Sequence, residues 1–265
     1  MKQRIQTAIL ALIIFIPIVL YGELPFTILI YLLATIGLIE LMRMHKIAII
    51  SIPSILAIVL VWLVIREPDT ETLLFTWFSK TEVIMMFVML LLAYTVLVKN
   101  KFTFDDAGFI LFSALYVGMG FLYFHETRNA PDGLAYIFYV LVVVWATDTG
   151  AYFSGRSFGK RKLWPQISPN KTIEGAVGGI LLATIVGVIY QLLFPLPVSM
   201  LTIIIVSVLV SIFGQVGDLI ESAFKRHYHV KDSGDLLPGH GGILDRFDSL
   251  LFVFPMLHFI QFIVS

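Results

Sequence analysis

Carboxylates and a lysine recur at helical spacing inside the apolar C-terminal half of the chain. In SIFGQVGDLIESAFKR, Asp218, Ser222 and Lys225 stand at i, i+4 and i+7, which places them on one face of a helix. Asp245 and Asp248 in ILDRFDSLLFVF stand at i and i+3 and also share a face. A carboxylate near the centre of a bilayer costs at least ~2.5 kcal/mol, so such residues usually line a cavity or pathway. Because the chain has no cysteine, Asp218, Asp245 and Asp248 predict a site for a hard cation such as Mg²⁺.

Structural roles are the alternatives for these carboxylates. Asp245 and Asp248 in a first helical turn would stabilise the helix dipole without any chemistry. Asp218 and Lys225 could form an ion pair within one helix, although about two turns separate them. Asp148, near the end of the apolar run LVVVWATDTGAYFSGR, is a further carboxylate at membrane depth. Four other acidic residues are expected at interfaces or water-facing boundaries, with no chemical role: Glu40, Asp105, Asp106 and Glu221.

The stretch SGRSFGKRKLWPQISPNKTIEG, residues 154–175, supplies positive charge to match these carboxylates. Its SPNKT segment predicts a turn into a helix, with Thr172 or Asn170 as the cap. Lys171 would then lie where a helix N-terminus binds anions, and it is a candidate phosphate ligand. Four other cations there would orient the protein in a membrane whatever its function: Arg156, Lys160, Arg161 and Lys162.

Glycines surround a histidine in PGHGGILDR. Gly239, Gly241 and Gly242 let the backbone approach a ligand, and their exposed N–H groups could form an anion-binding nest. His240 between them is a candidate for phosphate binding or proton transfer, with a packing or hydrogen-bonding role as the alternative.

Nine apolar runs must position these residues. The chain has 265 residues, 58% of them hydrophobic and only 14% charged, whereas a soluble domain carries roughly a quarter charged residues. A helix needs about 20 apolar residues to cross the hydrocarbon core. The candidate spans are 5–22, 24–42, 47–65, 81–98, 107–125, 133–153, 172–194, 198–224 and 246–264. Three prolines inside spans are expected to kink them: Pro17, Pro53 and Pro255.

The distribution of positive charge predicts the topology. With the N-terminus inside, 15 of the 18 lysines and arginines lie on inner segments. The sequence thus predicts an all-α polytopic integral membrane protein with about nine transmembrane helices and a cytoplasmic N-terminus. We expect one domain, with residues 1–130 as a lipid-facing helical scaffold and 131–265 as a catalytic half. The polar segments 154–171 and 225–246 would face the cytoplasm, and the zero net charge gives no reason to expect a nucleic-acid partner.

The segment SAFKRHYHVKDSGDLLPGHGGILDRFDS, residues 222–249, resembles the signature of phosphatidate cytidylyltransferases, also called CDP-diacylglycerol synthases. DTGAYFSGRSFGK and SPNKTIEG resemble upstream elements of the same family. Every position of the signature is filled in this chain: Ser222, Phe224, Lys225, Arg226, Lys231, Asp232, Gly234, His240, Gly241, Gly242, Asp245, Arg246 and Asp248.

This resemblance implies a reaction in which phosphatidate and CTP give CDP-diacylglycerol and pyrophosphate. It implies dependence on Mg²⁺, possibly with a second cation, and a homodimer in the bacterial inner membrane with its active site towards the cytoplasm. Asp218 and Asp245 would bind the metal, with Asp248 and Asp148 as a direct or water-mediated second set. Phosphate would be bound by Lys225, Lys171 and Arg246. The wider substrate-binding set is Ser168, Asn170, Ser222, Arg226, Lys231, Asp232, His240, Gly241, Gly242 and Arg246.

Two other classes of function deserve comparison. Secondary transporters and channels also bury carboxylates, but the chain shows no internal repeat, and its polar cluster lies towards one boundary of the membrane. A related lipid nucleotidyltransferase or lipid kinase could use a polyprenyl or archaeal lipid, a choice that only an assay with defined lipids decides. A purely structural scaffold would have no use for Asp148, Asp218 and Asp245 together.

Overall fold

The computed structural model describes residues 2–66, 78–236, 239 and 241–263. These ranges contain nine helices and one short antiparallel hairpin. His240, a predicted substrate-binding residue, lies outside the described residues. The helices are α1 Lys2–Tyr21, α2 Glu23–Met44, α3 Ile52–Ile65, α4 Lys80–Leu97, α5 Phe104–Asn129, α6 Gly133–Phe158, α7 Ile173–Leu193, α8 Met200–His227 and α9 Leu244–Phe259. The strands are β1 Lys162–Trp164 and β2 Ser168–Thr172.

Each described helix coincides with a predicted apolar span, so the helical fold class is confirmed. Six helices are long and apolar enough to cross a membrane, namely α2 and α4 to α8. The apolar part of α1 and the whole of α3 are shorter, and α9 has 16 residues. The protein is therefore a multi-pass membrane protein, while nine crossings and the direction of the N-terminus stay predictions.

Two local predictions from the sequence are wrong. Pro53 does not interrupt a helix, because α3 begins at Ile52 and the proline occupies its first turn. A proline is tolerated there since the first N–H groups of a helix have no partner within it. The SPNKT segment is not a turn but strand β2, which pairs with β1 in the register Lys162 to Thr172 and Trp164 to Ser168. This hairpin joins α6 to α7.

Polar residues mark where most helices begin. Ser51, Ser79 and Ser199 accept hydrogen bonds from backbone N–H groups in the first turns of α3, α4 and α8. Thr103 and Asp106 form a reciprocal capping box at the start of α5. As predicted, Thr172 caps α7, with its Oγ1 accepting from the Gly175 N–H at 3.1 Å. The N-cap residue of α9, Ile243, provides no side-chain cap, although the first N–H groups of this helix also require acceptors.

Helices α6 and α7 pack with their backbones in close contact. A Cβ atom added at Gly150 would lie 2.8 Å from the Gly178 carbonyl oxygen, and one at Gly179 would lie 2.8 Å from the Thr147 carbonyl oxygen. Small residues allow such approach in membrane proteins, where van der Waals packing replaces the hydrophobic effect between helices. The close contact fixes the end of α6 against the start of α7, which is where Asp148 and the hairpin lie.

Several helix ends meet at one end of the bundle. Lys171, just before α7, contacts Asp218 in the last third of α8. Glu40 near the end of α2 accepts a hydrogen bond from Leu244 N at the start of α9. At the opposite end, Arg128 Nε donates to a carbonyl oxygen of α1. The polar residues predicted to act together are therefore gathered at a common end of the helices.

Candidate active site

A pocket of about 550 Å³ opens between α6, the hairpin, α7 and α8. Its walls carry both signs of charge from Asp148, Arg156, Lys171 and Asp218. The residues that line it are Asp148, Ala151, Tyr152, Gly155, Arg156, Leu163, Asn170, Lys171, Thr172, Gly175, Ala176, Gln215 and Asp218. Its volume is within the range of pockets that hold small molecules, and its charges suit a ligand with phosphate groups.

Lys171 and Asp218 form an ion pair on the wall of this pocket. The Lys171 Nζ lies 2.5 Å from Asp218 Oδ2, and Ser222 Oγ donates to Asp218 Oδ1 at 3.3 Å. The predicted helical face of Asp218 and Ser222 is thus formed. The side chains of Lys171 and Asp218 remain 27% and 34% exposed. Both groups can consequently be reached by a ligand that replaces one partner of the pair.

Two more carboxylates contribute negative charge to the same region. Asp148 is exposed on the pocket wall, and its charge and that of Asp218 repel each other. Asp248 on α9 is within electrostatic range of Asp148 and Asp218. Lys171 and Arg246 offset the repulsion at Asp148, and Lys225 does so at Asp248. The site therefore concentrates three acidic side chains whose repulsion a bound cation would reduce.

A second, more buried cluster surrounds Lys225. Its Nζ donates to Glu221 Oε2 at 2.5 Å and to Asp245 Oδ1 at 2.6 Å. Lys225, Glu221 and Asp245 have side-chain exposures of 16%, 3% and 6%. The expectation that Glu221 faces water is wrong, because this residue is buried against the lysine. The alternative of an Asp218 and Lys225 pair is not realised either, since Asp218 binds Lys171 instead.

The second oxygen of Asp245 is bound by the loop before α9. Asp245 Oδ2 accepts from Ser233 N at 2.8 Å and from Gly242 N at 2.8 Å, and Ser233 Oγ lies 2.9 Å from it. Gly241 has a positive φ of 81°, and an added Cβ atom would lie only 2.3 Å from Asp245 Oδ2. These glycines were expected to let the backbone approach a ligand. In the structure the backbone approaches the Asp245 carboxylate itself.

Glu40 is a buried acidic residue close to Asp245 that the sequence did not single out. It is only 2% exposed, although it was expected at an interface without a chemical role. Its carboxylate accepts from Ser233 Oγ at 2.9 Å, from Ile243 N at 2.8 Å and from Leu244 N at 2.9 Å. The signal was present in GLIELMRM, because an acidic residue inside an apolar run is a functional candidate by default.

The other predicted site residues are distributed around these two clusters. Asn170 lines the pocket, whereas Ser168 pairs with Trp164 in the hairpin and is not among the lining residues. Arg226 Nε donates to the Ile167 carbonyl oxygen at 3.2 Å and ties the end of α8 to the hairpin. Three further predicted residues are exposed, two in the loop after α8 and one at the start of α9: Lys231, Asp232 and Arg246. Arg156, expected only to orient the protein, also lines the pocket.

The carboxylates differ in their suitability for a metal ion. Across the described parts of the chain, no group of three or more acidic or histidine residues has the arrangement of a metal site. Both oxygens of Asp245 are already bound, by Lys225 and by the loop. Asp148 and Asp218 nevertheless line one pocket and offer the oxygen donors that a hard cation prefers. The magnesium site remains a prediction.

Fold and site together define a multi-pass membrane protein with a charged pocket at one end of its helices, suited to a phosphate-bearing ligand. Comparison with known proteins identifies the family. The chain belongs to the cytidylyltransferase family, whose model matches residues 2–264. The resemblance based on the signature is thereby confirmed.

Curated relatives match over nearly their entire length. The phosphatidate cytidylyltransferase of Bacillus subtilis (strain 168) is 53% identical over 266 residues, covering 100% of this chain and 99% of the relative. That of Staphylococcus haemolyticus (strain JCSC1435) is 50% identical over 260 residues, covering 97% of this chain and 98% of the relative. That of Staphylococcus aureus (strain COL) is 47% identical over 258 residues, covering 97% of this chain and 98% of the relative.

Proposed function

We propose that this protein transfers CMP from CTP to phosphatidate, forming CDP-diacylglycerol and pyrophosphate for phospholipid synthesis. Family membership and relatives named for this activity support the assignment. The structural observation that carries it is the Lys171 and Asp218 pair on the wall of a charged pocket in a multi-pass membrane protein. A water-soluble nucleotide and a membrane lipid need a shared polar site at the edge of the bilayer.

The reaction is an in-line substitution at phosphorus. A phosphatidate oxygen attacks the α-phosphorus of CTP, a new P–O bond forms, and the bond to the pyrophosphate oxygen breaks with its electron pair leaving on pyrophosphate. The phosphatidate phosphate is ionised at neutral pH, so a strong general base is not required. The protein therefore contributes mainly by positioning the reactants and by stabilising charge.

The basic residues have separate tasks in this mechanism. Lys171 and Arg156 on the pocket wall bind phosphate oxygens, and Lys171 exchanges Asp218 for a phosphate when CTP enters. Lys225 stays between Glu221 and Asp245 and stabilises negative charge that develops during transfer.

We also propose that Mg²⁺ is the cofactor, either alone or together with a second cation. Asp218 and Asp248 would hold it, with Asp148 acting directly or through water. Asp245 would join them only after releasing Lys225 or the loop donors. When bound, Mg²⁺ supplies charge neutralisation at the phosphates and orientation of the leaving group.

The setting of the site is proposed from charge and resemblance. The excess of lysine and arginine on the segments that include 154–171 and 225–246 supports a cytoplasmic active site and nine crossings with the N-terminus inside. The family resemblance supports the bacterial inner membrane and a homodimer.

Label transfer from CTP into lipid tests the function. Purified protein is incubated with CTP labelled at the α-phosphate, Mg²⁺ and phosphatidate dispersed in detergent, and the label in the organic extract is counted. Label that requires both phosphatidate and Mg²⁺ is expected. If folded protein labels no lipid with phosphatidate but does so with another lipid phosphate, the acceptor assignment is wrong.

A further inference from the structure

The Glu40 carboxylate is a buried acceptor for a distant part of the chain. It lies on α2, and the three groups that donate to it, Ser233 Oγ, Ile243 N and Leu244 N, are at least 193 residues away in sequence. An ionised carboxylate at 2% exposure is unfavourable unless its oxygens are hydrogen-bonded. Here backbone and hydroxyl donors bind both oxygens. The Ile243 and Leu244 N–H groups at the start of α9 thus obtain their acceptors from α2, since the N-cap residue Ile243 has no side chain that could accept them.

Glycines leave room for this carboxylate. A Cβ atom added at Gly242 would lie 2.4 Å from both Glu40 oxygens, and one at Gly234 would lie 2.7 Å from Glu40 Oε1. Both distances are far below van der Waals contact. The oxygens that the added Cβ atoms would meet belong to the buried Glu40 side chain. Two stretches of the loop between α8 and α9, residues 233–234 and 241–243, therefore close around Glu40.

The contacts continue from Glu40 to Lys225, the lysine proposed to stabilise charge during transfer. Ser233 Oγ lies 2.9 Å from Glu40 Oε2 and 2.9 Å from Asp245 Oδ2. The other oxygen of Asp245 accepts from Lys225 Nζ at 2.6 Å. Glu40 is not among the residues that line the charged pocket. Its influence on the site therefore passes through Ser233, the start of α9 and Asp245.

We infer that Glu40 is a positioning residue for CMP transfer: it holds the start of α9 and the loop before it, so that Asp245 and Lys225 keep their orientation. The expected effect on kcat rests on the proposed function, whereas the expected effect on the start of α9 and its loop rests on the hydrogen bonds alone. Because CTP enters a pocket whose lining does not include Glu40, the loss of Glu40 lowers kcat rather than raising KM for CTP.

Three variants of the full-length protein in detergent test the inference. Glu40→Gln keeps the size of the side chain but turns one acceptor into a donor that faces other donors. Glu40→Asp keeps the charge with a shorter reach. Gln191→Ala is the matched control, because the Gln191 side chain likewise makes three hydrogen bonds to a connecting segment, at Leu196 and Val198. It lies 16 residues beyond Gly175 in α7, roughly 24 Å along the helix axis.

Kinetics and amide exchange are measured on each variant. For Glu40→Gln, kcat is expected to fall at least tenfold while KM for CTP stays within twofold, and Glu40→Asp should recover part of the loss. Hydrogen exchange at the Ile243 and Leu244 amides should accelerate at least tenfold in Glu40→Gln and remain unchanged in Gln191→Ala. The control should retain kcat within twofold even if its melting temperature falls as far as that of Glu40→Gln.

Several results would overturn the inference. It is wrong if Glu40→Gln keeps kcat within twofold of the wild-type value. It is also wrong if both Glu40→Gln and Gln191→Ala lose kcat in the same proportion to their loss of melting temperature. If the wild-type protein transfers no CMP to phosphatidate, the proposed function fails, and the exchange measurement still tests the positioning role. Unchanged exchange at Ile243 and Leu244 in Glu40→Gln would then refute that role.

Discussion

The Lys171 ammonium lies 2.5 Å from the Asp218 carboxylate, although 47 residues separate the two in sequence. Strand β2 carries the lysine and α8 carries the aspartate, so the pair joins the hairpin to the helix on the wall of the pocket. An ion pair that is partly open to solvent can be exchanged for a phosphate ligand without leaving a deeply buried charge unpaired. This property makes Lys171 the first residue to test.

Replacing Lys171 by methionine should lower kcat/KM for CTP by at least about a hundredfold, because one charge-assisted contact to phosphate is lost. Lys171→Arg should retain more activity than the methionine variant. Lys162→Met is the matched control, since Lys162 is an exposed lysine of the same hairpin. Initial rates of label transfer measure all three. Equal losses in Lys162→Met and Lys171→Met would assign the effect to overall charge instead of to a specific contact.

Asp218→Asn should abolish measurable turnover while the protein remains folded in the membrane. The substitution removes the charge that binds Lys171 and that would hold a cation, but it keeps the shape of the side chain. Asp105→Asn, at an exposed position in the first turn of α5, should behave like the wild-type protein. Activity and the fraction of monodisperse protein in detergent are compared. Near-normal activity of Asp218→Asn would contradict the assignment of this residue.

Lys225→Met should destabilise the protein by about 3 kcal/mol, because Glu221 and Asp245 would remain buried without their cation. Adding Glu221→Gln should recover part of this free energy of unfolding, since one of the two uncompensated charges is removed. Catalytic activity should not return in the double variant. Unfolding in mild detergent and label transfer provide the two measurements. Recovery of activity together with stability would assign Lys225 a purely structural role.

Gly150→Ala should weaken the contact between α6 and α7, because the new methyl group would meet the Gly178 carbonyl oxygen at 2.8 Å. The resulting loss in the free energy of unfolding should exceed the roughly 0.5–1 kcal/mol that alanine gains over glycine in a helix. Gly108→Ala is the control, since a Cβ atom there has nothing within 4 Å. It should leave stability unchanged or slightly raised. Thermal unfolding that ranks the two variants in the opposite order would refute the close packing of α6 and α7.

Removal of divalent cations should abolish turnover, and Mg²⁺ should restore it. In Asp248→Asn, the Mg²⁺ concentration for half-maximal rate should rise, because one of the three neighbouring carboxylates is neutralised. The measurement is a Mg²⁺ titration of label transfer at saturating CTP. A chelator already loaded with Mg²⁺ serves as the control for effects of the chelator itself. Full activity of the metal-free protein would exclude the proposed cofactor.

The helices could be predicted because lipid imposes a simple rule on the sequence. A backbone in hydrocarbon must satisfy its own hydrogen bonds, so every long apolar run becomes a helix. The ends were less predictable, since capping and local polar chemistry decide them. Helix α6 continues to Phe158, five residues beyond its predicted span, and α8 continues to His227, three residues beyond. The hairpin was missed because SPNKT contains the Pro and Asn that also favour turns.

Contacts within the candidate site could be predicted only between residues one turn apart on the same helix. Helical spacing placed Ser222 beside Asp218, and the structure has that hydrogen bond. The partners from other elements could not be read from spacing, so Lys171 was not recognised as the partner of Asp218. Glu40 was set aside for the same reason, because its three donors come from a segment at the other end of the chain.

The long sequence separation of this contact has a consequence for biogenesis. The ribosome delivers Glu40 to the membrane about 200 residues before Ile243 is synthesised. During that interval α2 carries an acidic side chain without its final partners, and the insertion machinery must accept it in that state. The contacts of Glu40 and Asp245 with the start of α9 are therefore completed only when α9 emerges. A chain that stops before α9 holds α2, the hairpin and α8 but cannot assemble the cluster around Lys225.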